Sequence, residues 1–133
     1  MSQNFFLTKV SIDTKIMTRP THKELNNKLK QALSVLMNGQ VFLMNQVALA
    51  VDALELEYRI ETELKEVLHE LLENATPGDY TGTRPPQRSY EQDISGLDLF
   101  AFTVRIDRFS EPVYFKFSIS ENVLWLVSLH KNR

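Results

Sequence analysis

The chain has 133 residues, of which 43% are hydrophobic and 24% charged, and its net charge is −2. That is the size and balance of one soluble globular domain, long enough to bury a core without staples. It has no cysteine, which excludes disulfides and thiolate metal sites and fits a reducing compartment.

The mildly acidic total argues against a surface that binds polyanions everywhere. The charge is nevertheless uneven: residues 9–30 carry six basic and two acidic side chains, and residues 52–79 carry nine acidic and two basic. No apolar run approaches the ~18 residues of a membrane helix. Met1–Leu7 lacks the basic start of a signal peptide, so a cytoplasmic protein without a membrane partner is expected.

In chain order, residues 4–12 alternate weakly through Phe6, Val10 and Ile12 and predict an N-terminal arm or edge strand within residues 1–20. Thr18-Arg19-Pro20 breaks it. Thr21-His22-Lys23-Glu24 reads as a capping box, followed at helical spacing by Leu25, Leu29, Ala32, Leu33 and Leu36. Asn38-Gly39 stops this helix, with glycine expected in a left-handed cap. After a short link from Gln40, Asn45 caps a second helix with an expected core stripe of Val47, Ala48, Val51 and Leu54.

A third helix presents Ile60, Leu64, Val67, Leu68, Leu71 and Leu72, with Glu61 and Glu63 near its start, where the helix dipole favours them. The helical part thus spans 21–74. A long polar loop follows over 79–96, of a length that is often mobile or functional. From Leu97 to His130 the period changes to two. Phe100, Phe102, Val104 and Ile106 mark one strand, Val113, Phe115, Phe117 and Ile119 a second, and Val123, Trp125, Val127 and Leu129 a third. Three helices packed on a small antiparallel sheet make an α+β domain over 1–133.

Phosphate-binding glycine loops and H-E-x-x-H are absent, and with only His22, His69 and His130 neither a metal site nor a cofactor is expected. The sheet is the informative region. If Phe115, Phe117, Trp125 and Val127 face the helices, then Tyr114, Lys116, Ser118, Ser128 and His130 face away. Pairing Ile119 with Val123 makes His130 a diagonal neighbour of Tyr114, and Arg105 joins the same face.

These residue types suit RNA cleavage without a metal. The ribose 2′-hydroxyl must lose a proton to attack the adjacent phosphorus, and the leaving 5′-oxygen must gain one. A histidine can do either near neutral pH. Lysine and arginine can stabilise the added phosphoryl charge, and tyrosine can donate a hydrogen bond or stack on a base. A solvated sheet face also carries polar residues without any such role.

Three stretches resemble the MqsR-type toxins, small endoribonucleases of toxin–antitoxin pairs with a RelE-like fold. They are Asn38-Gly39-Gln40-Val41 with Ala48-Leu49 and Leu54-Glu55-Leu56-Glu57-Tyr58, then Thr76-Pro77-Gly78-Asp79-Tyr80, and finally Pro112-Val113-Tyr114-Phe115-Lys116 with Val127-Ser128-Leu129-His130-Lys131. Their order and spacing agree over residues 30–131. The resemblance implies a RelE-like domain, cleavage of single-stranded mRNA without a metal, and a neutralising antitoxin partner. Tyr114 matches the tyrosine of the penultimate strand, and His130 stands where the family's last strand carries lysine. Thr81-Gly82 occupies the place of another family lysine, with Arg84 nearby.

The expected catalytic set is therefore His130, Tyr114 and Lys116. Arg84, Arg105, Lys131, Arg133 and Tyr80 are expected to bind RNA. The alternative is a non-catalytic interaction module on the same fold, docking a basic protein through the sheet face or the acidic 52–79 segment.

Overall fold

A computed structural model describes residues 19–132. The expected N-terminal strand over 4–12 and the expected RNA contact at Arg133 lie outside the described residues.

Helix α1 spans His22–Asn38, strand β1 Gln40–Leu43, helix α2 Gln46–Leu56 and helix α3 Ile60–Asn74. Strands β2 (Phe100–Val104), β3 (Val113–Ser120) and β4 (Val123–Lys131) follow. The protein is α+β, as its switch of period predicts.

The caps form largely as the sequence specifies. Thr21 Oγ1 accepts from the Glu24 amide at 3.1 Å, and Asn45 Oδ1 accepts from Ala48 at 3.1 Å. Glu24 does not close a capping box, because its carboxylate is taken by Arg19, which also reaches Asp98. Gly39 is not left-handed: its φ is −116°. Glycine is needed there because a Cβ would lie 2.3 Å from the Asn122 carbonyl oxygen.

The sheet has the order β1-β4-β3-β2. Strands β2, β3 and β4 form the expected antiparallel meander, but β1 pairs parallel to β4, so the sheet is mixed rather than antiparallel. The stretch read as a link after Gly39 is this fourth strand. Its partner lies far along the chain, where local pattern carries no sign of it.

All three helices pack on one face. Leu25, Leu29, Ala32 and Leu36 of α1 and Val67, Leu68, Leu71 and Leu72 of α3 meet Phe102, Phe115, Phe117, Leu124, Leu126 and Leu129 in one buried cluster. In α2 the buried residues are Leu49, Ala53 and Leu56. The expected stripe is turned to solvent, with Val47, Val51 and Leu54 being 76%, 53% and 77% exposed. This helix is apolar on two sides, so periodicity alone could not choose between them.

The loop after α3 is tied to the sheet. Tyr80 bridges Phe102 and Arg88 bridges Asp98. Ile94, Leu99 and Ala101 are buried outside the main cluster. Leu99 and Ala101 alternate with the core-facing Phe100 and Phe102, which places them on the sheet's outer face under this loop.

Candidate functional site

The β3–β4 hairpin turns through Glu121 and Asn122, so Ser120, not Ile119, is level with Val123. Glu121 takes a φ of 54°, the left-handed conformation such short turns require. This register leads from Ser118↔Trp125 to Phe117↔Leu126 and then slips by one at Val127, giving Lys116↔Ser128 and Tyr114↔His130. The slip is a β-bulge, one extra residue on β4.

Both departures matter, because a one-residue shift exchanges the faces of a strand. The two-residue turn puts Leu124 and Leu126 in the core and Trp125 on the outer face, the reverse of the expectation for Trp125. The bulge restores the parity beyond it. Without it, the register set by the turn would place Leu129 opposite Tyr114 and send His130 inward. With it, Leu129 is fully buried and His130 stands directly across from Tyr114 rather than diagonal to it.

The outcome is an open cleft of about 520 Å³ on the outer face. Tyr114, Lys116, Ser128 and His130 line it, with Thr103, Thr81 and Asn132 at its borders. The rings of Tyr114 and His130 are stacked, their centroids 5.0 Å apart and inclined by 22°. His130 Nδ1 lies 2.6 Å from the Lys131 carbonyl oxygen. A carbonyl only accepts, so Nδ1 carries the hydrogen, and in the neutral ring Nε2 is left as the free base.

Burial raises the Tyr114 hydroxyl above the usual tyrosine value, keeping it a neutral donor across the physiological range. Lys116 forms no ion pair among the described residues, and no carboxylate lines the cleft. The two threonine hydroxyls at its border, Thr81 and Thr103, meet at 3.0 Å and pin the loop to β2. A narrower recess of about 100 Å³ continues from Tyr114 and Lys116 past Ala101 to Gln87.

The structure thus brings His130, Tyr114 and Lys116 together. The expected RNA-binding residues are more scattered. Arg105 is exposed beyond the end of β2 and donates to the Ser110 carbonyl at 3.2 Å, outside the cleft. The Arg84 guanidinium sits 5.1 Å over the Tyr80 ring and donates to the Pro20 carbonyl. Tyr80 itself is buried against Phe102, with its hydroxyl donating to the Thr83 carbonyl at 2.5 Å. Lys131 pairs with Val113 on the opposite face and lines a separate recess with Glu55, Glu57 and Glu111.

Ser128 faces the cleft as expected, and Thr81, Thr103 and Asn132 join it without having been singled out from sequence. The alternation of β4 places Ser128 there, whereas Thr81 arrives through the loop's bridge to β2.

The acidic helix is less available than its composition suggests. Arg108 bonds Glu70 at 2.8 Å and Glu63 at 3.1 Å and approaches Glu66 at 3.5 Å. In comparisons with known proteins, the chain matches no family model and no curated protein sequence.

Proposed function

We propose that the protein is a toxin-like endoribonuclease that cleaves single-stranded mRNA without a metal and is held in check by an antitoxin protein. The observation that carries this reading is the His130–Tyr114 stack beside Lys116 in a cleft free of carboxylates. In this mechanism His130 Nε2 takes the proton of the ribose 2′-hydroxyl. The 2′-oxygen attacks phosphorus to form a 2′,3′-cyclic phosphate, the bond to the 5′-oxygen breaks, and that oxygen takes a proton from water, while the proton held by His130 returns to solvent. Lys116 stabilises the added charge on the phosphoryl oxygens, and Tyr114 donates a hydrogen bond to the same group.

Purified protein is expected to cleave RNA in the presence of EDTA. His130→Ala should lower the rate by about 10²-fold or more, the usual worth of acid–base help. Undiminished cleavage by that variant would remove His130 from the mechanism. Expression should arrest growth, with relief by co-expression of the antitoxin.

A second reading, a non-catalytic interaction module, is supported by the exposed apolar residues Val47, Val51 and Leu54 on α2. It does not gain from the acidic helix, since Arg108 already occupies Glu63, Glu66 and Glu70. An inactive protein whose binding to another protein is lost on Val51→Asp would favour it.

A further inference from the structure

The turn that sends Leu124 and Leu126 into the core leaves Trp125 on the outer face, in line with the cleft. Phe42 of β1 is its partner in the parallel register and is therefore on the same face. The two rings meet edge to face, 5.1 Å between centroids and inclined by 73°, and Phe42 is 43% exposed. Trp125 is half-buried, and the Phe42 ring extends its apolar surface into solvent.

Three features indicate what covers this pair. The same sheet face runs on along β4 from Trp125 to Ser128 and His130, beside Lys116 and Tyr114 of β3, while Ser118 is buried with its hydroxyl donating to the Asp98 carbonyl. Its cation, Lys116, lies between the two aromatic sites and has no ion-pair partner among the described residues. The Trp125 indole N–H is buried without an acceptor among the described residues, an unsatisfied donor at the edge of this pair.

Aromatic rings flanking a basic centre on an open sheet suit a single strand whose bases stack while its phosphates meet the cation. From Ser118, beside Trp125, to Tyr114 is four residues of strand, about 13 Å. An extended strand bridges that distance with a short run of nucleotides.

We propose that Phe42 and Trp125 form a second base-binding subsite, which stacks a nucleotide of single-stranded RNA outside the cleft and sets the length of strand the protein grips. This rests on the ribonuclease reading for the occupant of the cleft, but its test does not depend on cleavage. Trp125 is the only tryptophan in the chain, so its fluorescence reports the subsite directly.

The intact protein would be titrated with an uncleavable 2′-deoxy oligonucleotide of about eight nucleotides, within the range of single-strand site sizes, and with one of about three, below it. The longer strand should quench Trp125. Phe42→Ala should weaken it by about 10-fold or more in Kd, the usual worth of one stacked base, and should leave the shorter strand unchanged. Phe42→Tyr, which keeps a stacking ring, should restore the affinity and so separate stacking from any loss of folding.

Equal affinity of wild type and Phe42→Ala for the longer strand, or binding without quenching, overturns the subsite. So does a change confined to self-association on sedimentation, which would assign the rings to a protein contact. Quenching and binding without RNA cleavage keep the subsite and remove the nuclease. Cleavage with no effect of Phe42→Ala does the reverse.

Discussion

At Gly39 the space for a side chain is already filled: a Cβ would lie 2.3 Å from the Asn122 carbonyl oxygen and 2.7 Å from its Oδ1. Because the obstacle is backbone, Gly39→Ala should push the β3–β4 turn off β1. The expected cost is about 1–3 kcal/mol, the usual price of overpacking, read as a lower urea midpoint with an unchanged slope. Sequence identifies this glycine as a helix stop but not its reason, since an Asn-Gly pair after a helix looks the same whether or not another strand touches it. In the cleft, Tyr114→Phe keeps the ring that stacks on His130 and removes only the hydroxyl. Cleavage should fall by about 10-fold or more while thermal stability holds, which separates donation from packing. The pairing of Tyr114 with His130 was legible from alternation, but its directness was not. The imidazole's tautomer, fixed by the Lys131 carbonyl, required coordinates.

Strand β4 shows how two local departures can cancel. Expecting Ile119 level with Val123 assigns Trp125 to the wrong face yet leaves His130 on the correct one, because the actual turn shifts parity once and the bulge at Val127 shifts it back. Neither feature has a marker in the sequence, as Glu121-Asn122 lacks the glycine that usually announces a two-residue turn. Helix α3 was legible on both sides: its buried residues are those the spacing gave, and its glutamates face outward. What the composition hid was Arg108. That guanidinium holds the Glu70 carboxyl below its ordinary value. A carboxyl lowered by folding stabilises the protein above the unfolded value, and this stability is lost as pH falls through the folded one. Arg108→Gln should therefore lower stability by about 1 kcal/mol near neutral pH, and flatten its decline on acidification, in urea melts taken across that range. Charge reversal at Glu63, Glu66 and Glu70 would break the same network, so a loss of partner binding in such a variant requires a stability control.

Over the whole molecule, the helix-then-strand order was legible because each element repeats its own period. The mixed sheet was not, because β1 has only four residues and its parallel partner is the last strand of the chain. No helix among the described residues is long and apolar enough to cross a membrane. The helices cover one face of the sheet, and much of the other is left to the cleft and the Phe42–Trp125 pair. One buried group in the helical half gives a global titration. The Tyr58 hydroxyl is pushed up to about 12, first by burial and then by Asp52. The unfolded chain therefore loses this proton first, and stability should fall as pH rises from about 10 towards 12. Tyr58→Phe should lessen that alkaline decline in denaturation curves followed by circular dichroism, leaving the share of Tyr114 and Tyr80, whose hydroxyls burial also raises.

The bulge at Val127 also has a consequence for comparing this chain with others. Leu126 and Ser128 sit opposite adjacent residues of β3, so the extra residue could be lost and the strand would close into a regular ladder with every other side chain on its present face. A relative without the bulge would superpose on this fold and keep its counterpart of His130 across from that of Tyr114. In a sequence alignment it would show a one-residue gap inside its last strand. Methods that forbid gaps within strands would place Leu129 against the basic residue and miss the correspondence of the two clefts.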